Sequence, residues 1–220
     1  CEEGRFRMAF TYPVTLNLNN RRCTVVGGGE VAFRKVQSLL EEQANVVVVS
    51  PALCEELQDL YQSVTFTWIN EAFKEEFLED SFLVIAATNN RAINHQVSVW
   101  CENNHVLVNV VDSRDESSFT VNSAVRRGDL LIAISTGGAS PAVSKAIRMR
   151  LEEMFGEEYA VMLEIMADAR EKAMDSIADE KKRRAFLQQL AQMNLQDVLK
   201  TESKEEVQKR VELCLSSYWA

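Results

Sequence analysis

The chain has 220 residues, 46% of them apolar, 26% charged and 8% aromatic, enough to bury a sizeable core in one or two domains and too apolar for a disordered chain. Its formal charge of −9 disfavours broad nucleic-acid or membrane-surface binding, and its longest apolar run, Phe82 to Ala87, falls far short of the roughly 20 residues that cross a bilayer. Five cysteines (Cys1, Cys23, Cys54, Cys101, Cys214), odd in number and without a Cys-x-x-Cys pair, exclude a disulfide framework and a cysteine zinc site and imply a reducing, cytoplasmic compartment.

The first seven residues are polar and charged and lack the apolar core of a secretion signal, so Met8 is expected to be the start, with residues 1–7 a remnant or an upstream extension. Arg22 to Val26 reads as the first strand, broken by Gly27-Gly28-Gly29, and a helix follows with Val31, Ala32, Val36, Leu39 and Leu40 on one face. Val46 to Val49 is a second strand, apolar on both faces as a buried parallel strand should be. Pro51 suits the first turn of a helix running to about Gln62. Val64, Phe66 and Trp68 alternate in a third strand, and Phe82 to Ala86 is the fourth. A helix carrying Ile93, Val97, Trp100 and Cys101 leads to a fifth strand, Val106 to Val110, which ends at Val111-Asp112. The rhythm then changes: Phe119 to Val125 and Leu130 to Ser135 read as a hairpin across Arg126-Arg127-Gly128-Asp129, and Ser140-Pro141 caps and opens a helix.

All eight glycines and all three prolines precede Glu157, and beyond Gly156 the pattern is helical, with stripes at Phe186, Leu190, Met193 and at Val207, Val211, Cys214, Tyr218. The pattern predicts an α/β fold in three parts: a dinucleotide-binding domain over 8–112, a hairpin and helix over 113–150, and a helical domain over 151–220. From Ser113 to Arg150 six bases face three acids, a local excess that suits a small polyanion, whereas residues 151–220 carry ten bases and fifteen acids.

Gly27-Gly28-Gly29-Glu30-Val31-Ala32 fits G-x-G-x-x-A between a strand and a helix. Gly27 permits the tight turn, Gly29 lets a pyrophosphate approach the backbone, and Ala32 lets helix and strand pack closely. The helix N-terminus offers free N–H groups and a positive dipole end. The acidic residue that would read ribose hydroxyls at the end of the second strand is absent; Val49-Ser50-Pro51 stands there, and Ser50 is the weaker substitute. No Arg or Lys lies between Asn45 and Tyr61 to meet a 2′-phosphate, which favours NAD over NADP.

Ligands of open α/β sheets bind beyond the carboxyl ends of the strands, where Thr88-Asn89, Asp112 and Thr136 are polar. Asp112 is the candidate base or positioning carboxylate for a dehydrogenation, although a lone Asp on a loop also serves as an ordinary turn residue. His95 and His105 read as packing or surface groups and the methionines (Met154, Met162, Met166, Met174, Met193) as core; Lys181 to Arg184 reads as solvated helix surface. With so few histidines, metal chemistry would need oxygen ligands or a substrate's own nitrogens, and no metal ligand is assigned.

Tyr12-Pro13-Val14 with Leu16 and Leu18, Val25 to Ala32 with Arg34-Lys35, Ile85-Ala86-Ala87-Thr88, Val108-Asn109-Val110-Val111-Asp112, and Ala133 to Pro141 together resemble the siroheme-synthase N-terminal family, over about residues 12–150. The resemblance implies an NAD-binding Rossmann domain, a dimerisation hairpin with its helix, a helical C-terminal domain, a homodimer, and oxidation of precorrin-2 to sirohydrochlorin. It implies NAD contacts at Gly27, Gly28, Gly29, Glu30, Val31, Ser50, Pro51, Ala52 and Thr88, chemistry at Asp112, and a tetrapyrrole near Asn109, Arg114, Thr136, Gly137 and Gly138. Some members also insert ferrous iron as a second reaction; a carrier that binds NAD or a tetrapyrrole without catalysis is the reading from another class. Two departures stand out: Ser117-Ser118 replaces a Cys followed by Asp or Asn, and Thr136 replaces a serine. Without a fused methyltransferase segment, methylation of the precursor is expected from a separate protein.

Overall fold

The computed structural model describes residues 11–218, so Met8 and the residues before it lie outside the described part. Chain contacts divide it into two compact units, residues 12–121 and the chain from Asn122 onward.

In the first unit five parallel strands, β1 (Arg22–Val26), β2 (Asn45–Val49), β3 (Thr67–Ile69), β4 (Leu83–Ala86) and β5 (Leu107–Val110), lie in the order β3-β2-β1-β4-β5. The order reverses at β1, which pairs with β2 on one side and β4 on the other. The alternation of side chains along each strand gives the sheet two apolar faces. Cys23, Val25 and Val48 pack with Ala32, Val36 and Leu39 of α1 (Glu30–Glu41) and Leu57 of α2 (Glu55–Ser63). Val26, Val84, Ala86, Val108 and Val110 pack on the other face with Val97 and Cys101 of α3 (Arg91–Asn103). Thr24 is the buried polar exception on β1, and its hydroxyl is matched by that of Ser81 at 2.7 Å.

Three boundaries differ from expectation for local reasons. Pro51 does not open α2: the helix begins at Glu55, because Cys54 N–H donates to the Gly28 carbonyl at 2.7 Å and the chain from Ser50 to Cys54 is bent to follow the glycine turn. Strand β3 is the short Thr67–Ile69, since only these residues find partners on β2. Phe119 belongs to no hairpin strand; Ser118 and Phe119 donate their N–H groups to the Val108 carbonyl at 2.9 and 3.4 Å, so the segment after Asp112 lies along β5 and stays with the first unit to Val121.

The second unit begins with the antiparallel hairpin β6 (Ser123–Arg127) and β7 (Leu130–Ile134). Four of the following helices are α4 (Pro141–Met154), α5 (Glu158–Ser176), α6 (Glu180–Ala191) and α8 (Lys204–Ser216), with the short α7 (Leu195–Val198) before the last. Ser140 caps α4 by accepting from Val143 N–H. Phe186 and Leu190 of α6 and Val207, Val211 and Leu215 of α8 close on Ile165, Ala169 and Ala173 of α5. The α8 stripe therefore runs through Leu215, with Cys214 and Tyr218 at its margin. Met162, Met166 and Met193 pack against this core, whereas Met154 and Met174 are exposed, contrary to the expectation that all five are core.

Candidate active site

Three loops meet at the carboxyl ends of β1, β2 and β4. Gly27 has φ +129°, and a Cβ there would lie 2.4 Å from the Ala87 carbonyl oxygen, so the turn admits glycine alone. A Cβ on Gly28 would lie 2.0 Å from the Ala52 carbonyl oxygen and 2.6 Å from Ser50 Oγ, so this residue is the contact point with the loop after β2. Gly27 N–H donates to the Val49 carbonyl at 2.9 Å, which joins the turn to β2 directly.

Gly29 is different. A Cβ on it would meet nothing within 4 Å, and as N-cap of α1 it offers no side chain to the first turn. The opening N–H groups of a helix have no partner inside it, so the first turn of α1 offers free amides at the positive end of the helix dipole, beside the open space over Gly29. That is the arrangement in which a helix end holds a phosphate, and the residues fit a dinucleotide diphosphate.

Ser50 is buried; its hydroxyl donates to the Ala52 carbonyl at 2.7 Å and its own carbonyl accepts from Trp68 Nε1 at 2.9 Å. The side chain thus shapes the loop, and the exposed Pro51 and Ala52 form its outer surface. Thr88 is held by Asn94 of α3: its hydroxyl donates to Asn94 Oδ1 at 2.7 Å, and Asn94 Nδ2 donates to the Thr88 carbonyl at 3.0 Å. Sequence reasoning missed Asn94, though the signal was there, as a polar residue three before Val97 and seven before Cys101 on the buried stripe. Asn90 caps the same helix, accepting from Ala92 and Ile93 N–H.

Asp112 lies at the end of β5, exposed, with φ +59°. Hydrogen bonds grip the main chain on both sides: Val111 N–H to the Ala86 carbonyl at 2.9 Å and Ser113 N–H to the Val110 carbonyl at 3.1 Å. Beyond it, Ser117 and Ser118 accept from Val110 and Val108 N–H at 2.9 and 2.8 Å, so their hydroxyls occupy the outer edge of β5. Glu116 anchors the same segment to α3, pairing with Arg91 at 2.9 Å and His95 at 2.8 Å while its carbonyl accepts from Ser98 Oγ at 2.7 Å. The His95 ring, the Ser113 hydroxyl and the Arg91 charge hold its carboxyl below the usual carboxylate range.

Asn109 is a bracing residue, its Nδ2 donating to the Phe119 carbonyl at 3.1 Å, while Arg114 is exposed on the loop after Asp112. In the second unit the Thr136 hydroxyl lies 3.0 Å from Ser144 Oγ and 3.2 Å from the Ser140 carbonyl, bracing the Gly137-Gly138 turn at the head of α4. His105 takes a left-handed turn after α3, as a surface residue. The glycine turn, Ser50 to Ala52 and Thr88 are thus brought together, with Asp112 two strands from β1 at the same sheet end.

Residues 14–123, half of the chain, match an NAD(P)-binding family model, and residues 127–154 match one described as the central part of sirohaem biosynthesis proteins. The siroheme synthase of Nitrosomonas europaea is 39% identical over 181 residues, which cover 82% of this chain and 38% of that protein. The siroheme synthase of Mannheimia succiniciproducens is 35% identical over 205 residues, 93% of this chain and 43% of that protein. The chain therefore spans about two fifths of the length of these relatives. A solved structure, "SirC, precorrin-2 dehydrogenase", superposes with a TM-score of 0.76 at 27% identity, covering 92% of this chain and 99% of that one. With its glycine turn, its five-stranded sheet and the matched segment at its hairpin and α4, the chain belongs to the siroheme-synthase family of NAD(P)-binding proteins.

Proposed function

We propose that the chain is an NAD-dependent dehydrogenase that oxidises precorrin-2 to sirohydrochlorin. The observation that carries this reading is the open space over Gly29 at the uncapped end of α1, at the sheet end where Asp112 is presented. The amides of Gly29, Glu30 and Val31 would hold the diphosphate, Ser50 to Ala52 would border the adenosine, and Thr88 would flank the nicotinamide side. The loop from Ser50 to Cys54 carries no cation for a 2′-phosphate, which supports NAD over NADP. NAD, when bound, supplies the two-electron acceptor.

The chain's own part is to hold the reactants and to take up a proton. Oxidation of a carbon–carbon or carbon–nitrogen single bond removes one hydrogen with its electron pair and a second as a proton, and the Asp112 carboxylate is the group offered to that proton. Its exposure keeps it within reach of a bulky, carboxylate-rich macrocycle. Arg114, on the exposed loop after Asp112, would supply a cation to a substrate of this kind, and Asn109 shapes that loop by bracing Phe119. Leu131 on β7 and Val143, Ile147 and Met149 on α4 are exposed apolar groups, which supports a homodimer formed through this unit. No described helix is long and apolar enough to cross a membrane, and Cys23, Cys54, Cys101 and Cys214 are free, which supports work in the reducing cytoplasm.

The test is incubation of the protein with precorrin-2 and NAD. NADH absorbance should rise with wild type and fall at least a hundredfold in rate with Asp112→Ala. Equal rates would remove Asp112 from the chemistry, and a wild type that binds both ligands without making NADH would identify a carrier. Ferrous iron added with sirohydrochlorin in a parallel arm reads out metal insertion, with iron as substrate.

A further inference from the structure

The site described so far leaves one cluster unused. Arg91, His95 and Ser98 lie at spacings of four and three on one face of α3, and all three hold the same residue of the loop after Asp112. Glu116 receives them through its carboxylate and its carbonyl, and its side chain is only 19% exposed although Arg91 and His95 are 64% and 63% exposed. Arg91 also reaches Ser113 Oγ at 3.1 Å, one residue from Asp112. The next residue, Ser117, passes the restraint on: its hydroxyl donates to the Ser113 carbonyl at 2.7 Å and accepts from Val110 N–H at 2.9 Å. The ties therefore close around Asp112 from both sides while leaving that residue exposed.

An isolated surface ion pair contributes little, and three ties on one loop residue exceed what a solvated surface needs. Asp112 supplies the reason. Its φ of +59° lies in the left-handed region, which aspartate tolerates better than most side chains but which is still less favourable than the right-handed or extended backbone, so ties on the flanking loop help to hold it there. We propose that Glu116 is a positioning residue for the dehydrogenation, clasped by Arg91, His95 and Ser98 so that the 113–118 loop keeps Asp112 in its left-handed, outward conformation. The proposal rests on the reading of Asp112 as the proton acceptor.

Glu116→Gln keeps the shape and removes the charge, and Arg91→Gln opens the clasp from an exposed position that the fold does not need. In the wild type and both variants, amide hydrogen exchange over residues 108–118 is measured without ligand, together with kcat, KM for NAD and NAD affinity. Exchange over 108–118 should rise at least tenfold while the rest of the sheet stays protected, and kcat should fall about tenfold with KM for NAD and NAD affinity within twofold of wild type. Arg91→Lys should restore part of kcat. In the Asp112→Ala background, Glu116→Gln should change kcat by less than twofold, because the residue acts through Asp112. Unchanged exchange, or losses that multiply in the double variant, would overturn the proposal. A wild type inert on precorrin-2 would overturn the functional reading and the positioning role with it, and accelerated exchange in the variants would still distinguish that from a failed clasp.

Discussion

Gly29→Ala separates the cofactor cradle from the fold. At φ −91° and ψ −176° the backbone suits alanine, and the added methyl meets nothing within 4 Å, so the substitution is sterically silent in the free protein. Alanine is a poorer N-cap than glycine, but it also reduces the freedom of the unfolded chain, and the two terms offset to within about 1 kcal/mol. The melting temperature should therefore stay within about 4 °C of wild type. Binding should respond very differently, because on the proposed placement of the diphosphate the methyl would stand in the open space over Gly29 that the phosphate oxygens would occupy. Loss of two charge-assisted hydrogen bonds, discounted for water that takes their place, amounts to about 3 kcal/mol, or a Kd for NAD raised roughly a hundredfold. Isothermal titration with NAD beside a thermal melt measures both numbers. An unchanged Kd with an unchanged melt would refute the placement of the diphosphate over Gly29.

Gly27→Ala should behave in the opposite way, costing at least about 3 kcal/mol by urea denaturation, because the new Cβ would lie 2.4 Å from a main-chain oxygen at φ +129°. Asn94→Ala should destabilise the protein by about 2 kcal/mol and weaken NAD binding several-fold, since the Thr88 carbonyl loses its donor and the hydroxyl keeps only the Asn90 carbonyl, at 3.0 Å, as acceptor; Asn94→Asp, which keeps only the acceptor, should fall between. Burial pushes the Cys23 thiol up to about 11 and the Cys101 thiol up to about 12. Both should resist iodoacetamide at pH 8 in the native protein, as peptide mass spectrometry would show. Because their folded pKa values lie above the unfolded value of 9.0, the stability they contribute is fully present below pH 9 and is lost as pH rises toward 11–12, so the urea midpoint should fall over that interval.

The sheet was legible in the sequence because β2 and β4 are buried on both faces and leave continuous apolar runs, and β1, from Cys23 on, departs from this only at Thr24. The glycine turn was legible for a related reason, as few residues satisfy the geometry that Gly27 and Gly28 impose. What local pattern could not reveal was commitment between distant segments. Pro51 looks like a helix start until the Cys54–Gly28 hydrogen bond bends the chain, and Phe119 looks like hairpin until its N–H is spent on Val108. The same holds in the site: Ser50, Asn109 and Thr136 carry groups suited to ligands, yet each is engaged in bracing a loop, while Asn94 and Glu116, which position the neighbours of the candidate chemistry, show no motif. Glu116 takes its role from partners 18 to 25 residues earlier, beyond a window of periodicity, whereas Asn94 pairs across only 6 residues and shows itself only as a polar break in the buried stripe of α3.

The serine pair after Asp112 has a consequence for assembly. A parallel sheet that ends on β5 would ordinarily leave a row of unsatisfied donors able to recruit a foreign strand, the first step toward fibrillar growth. Hydroxyls from Ser117 and Ser118 fill the two positions where such a strand would bond. Lateral extension of the sheet on that flank is thereby blocked by the chain's own atoms.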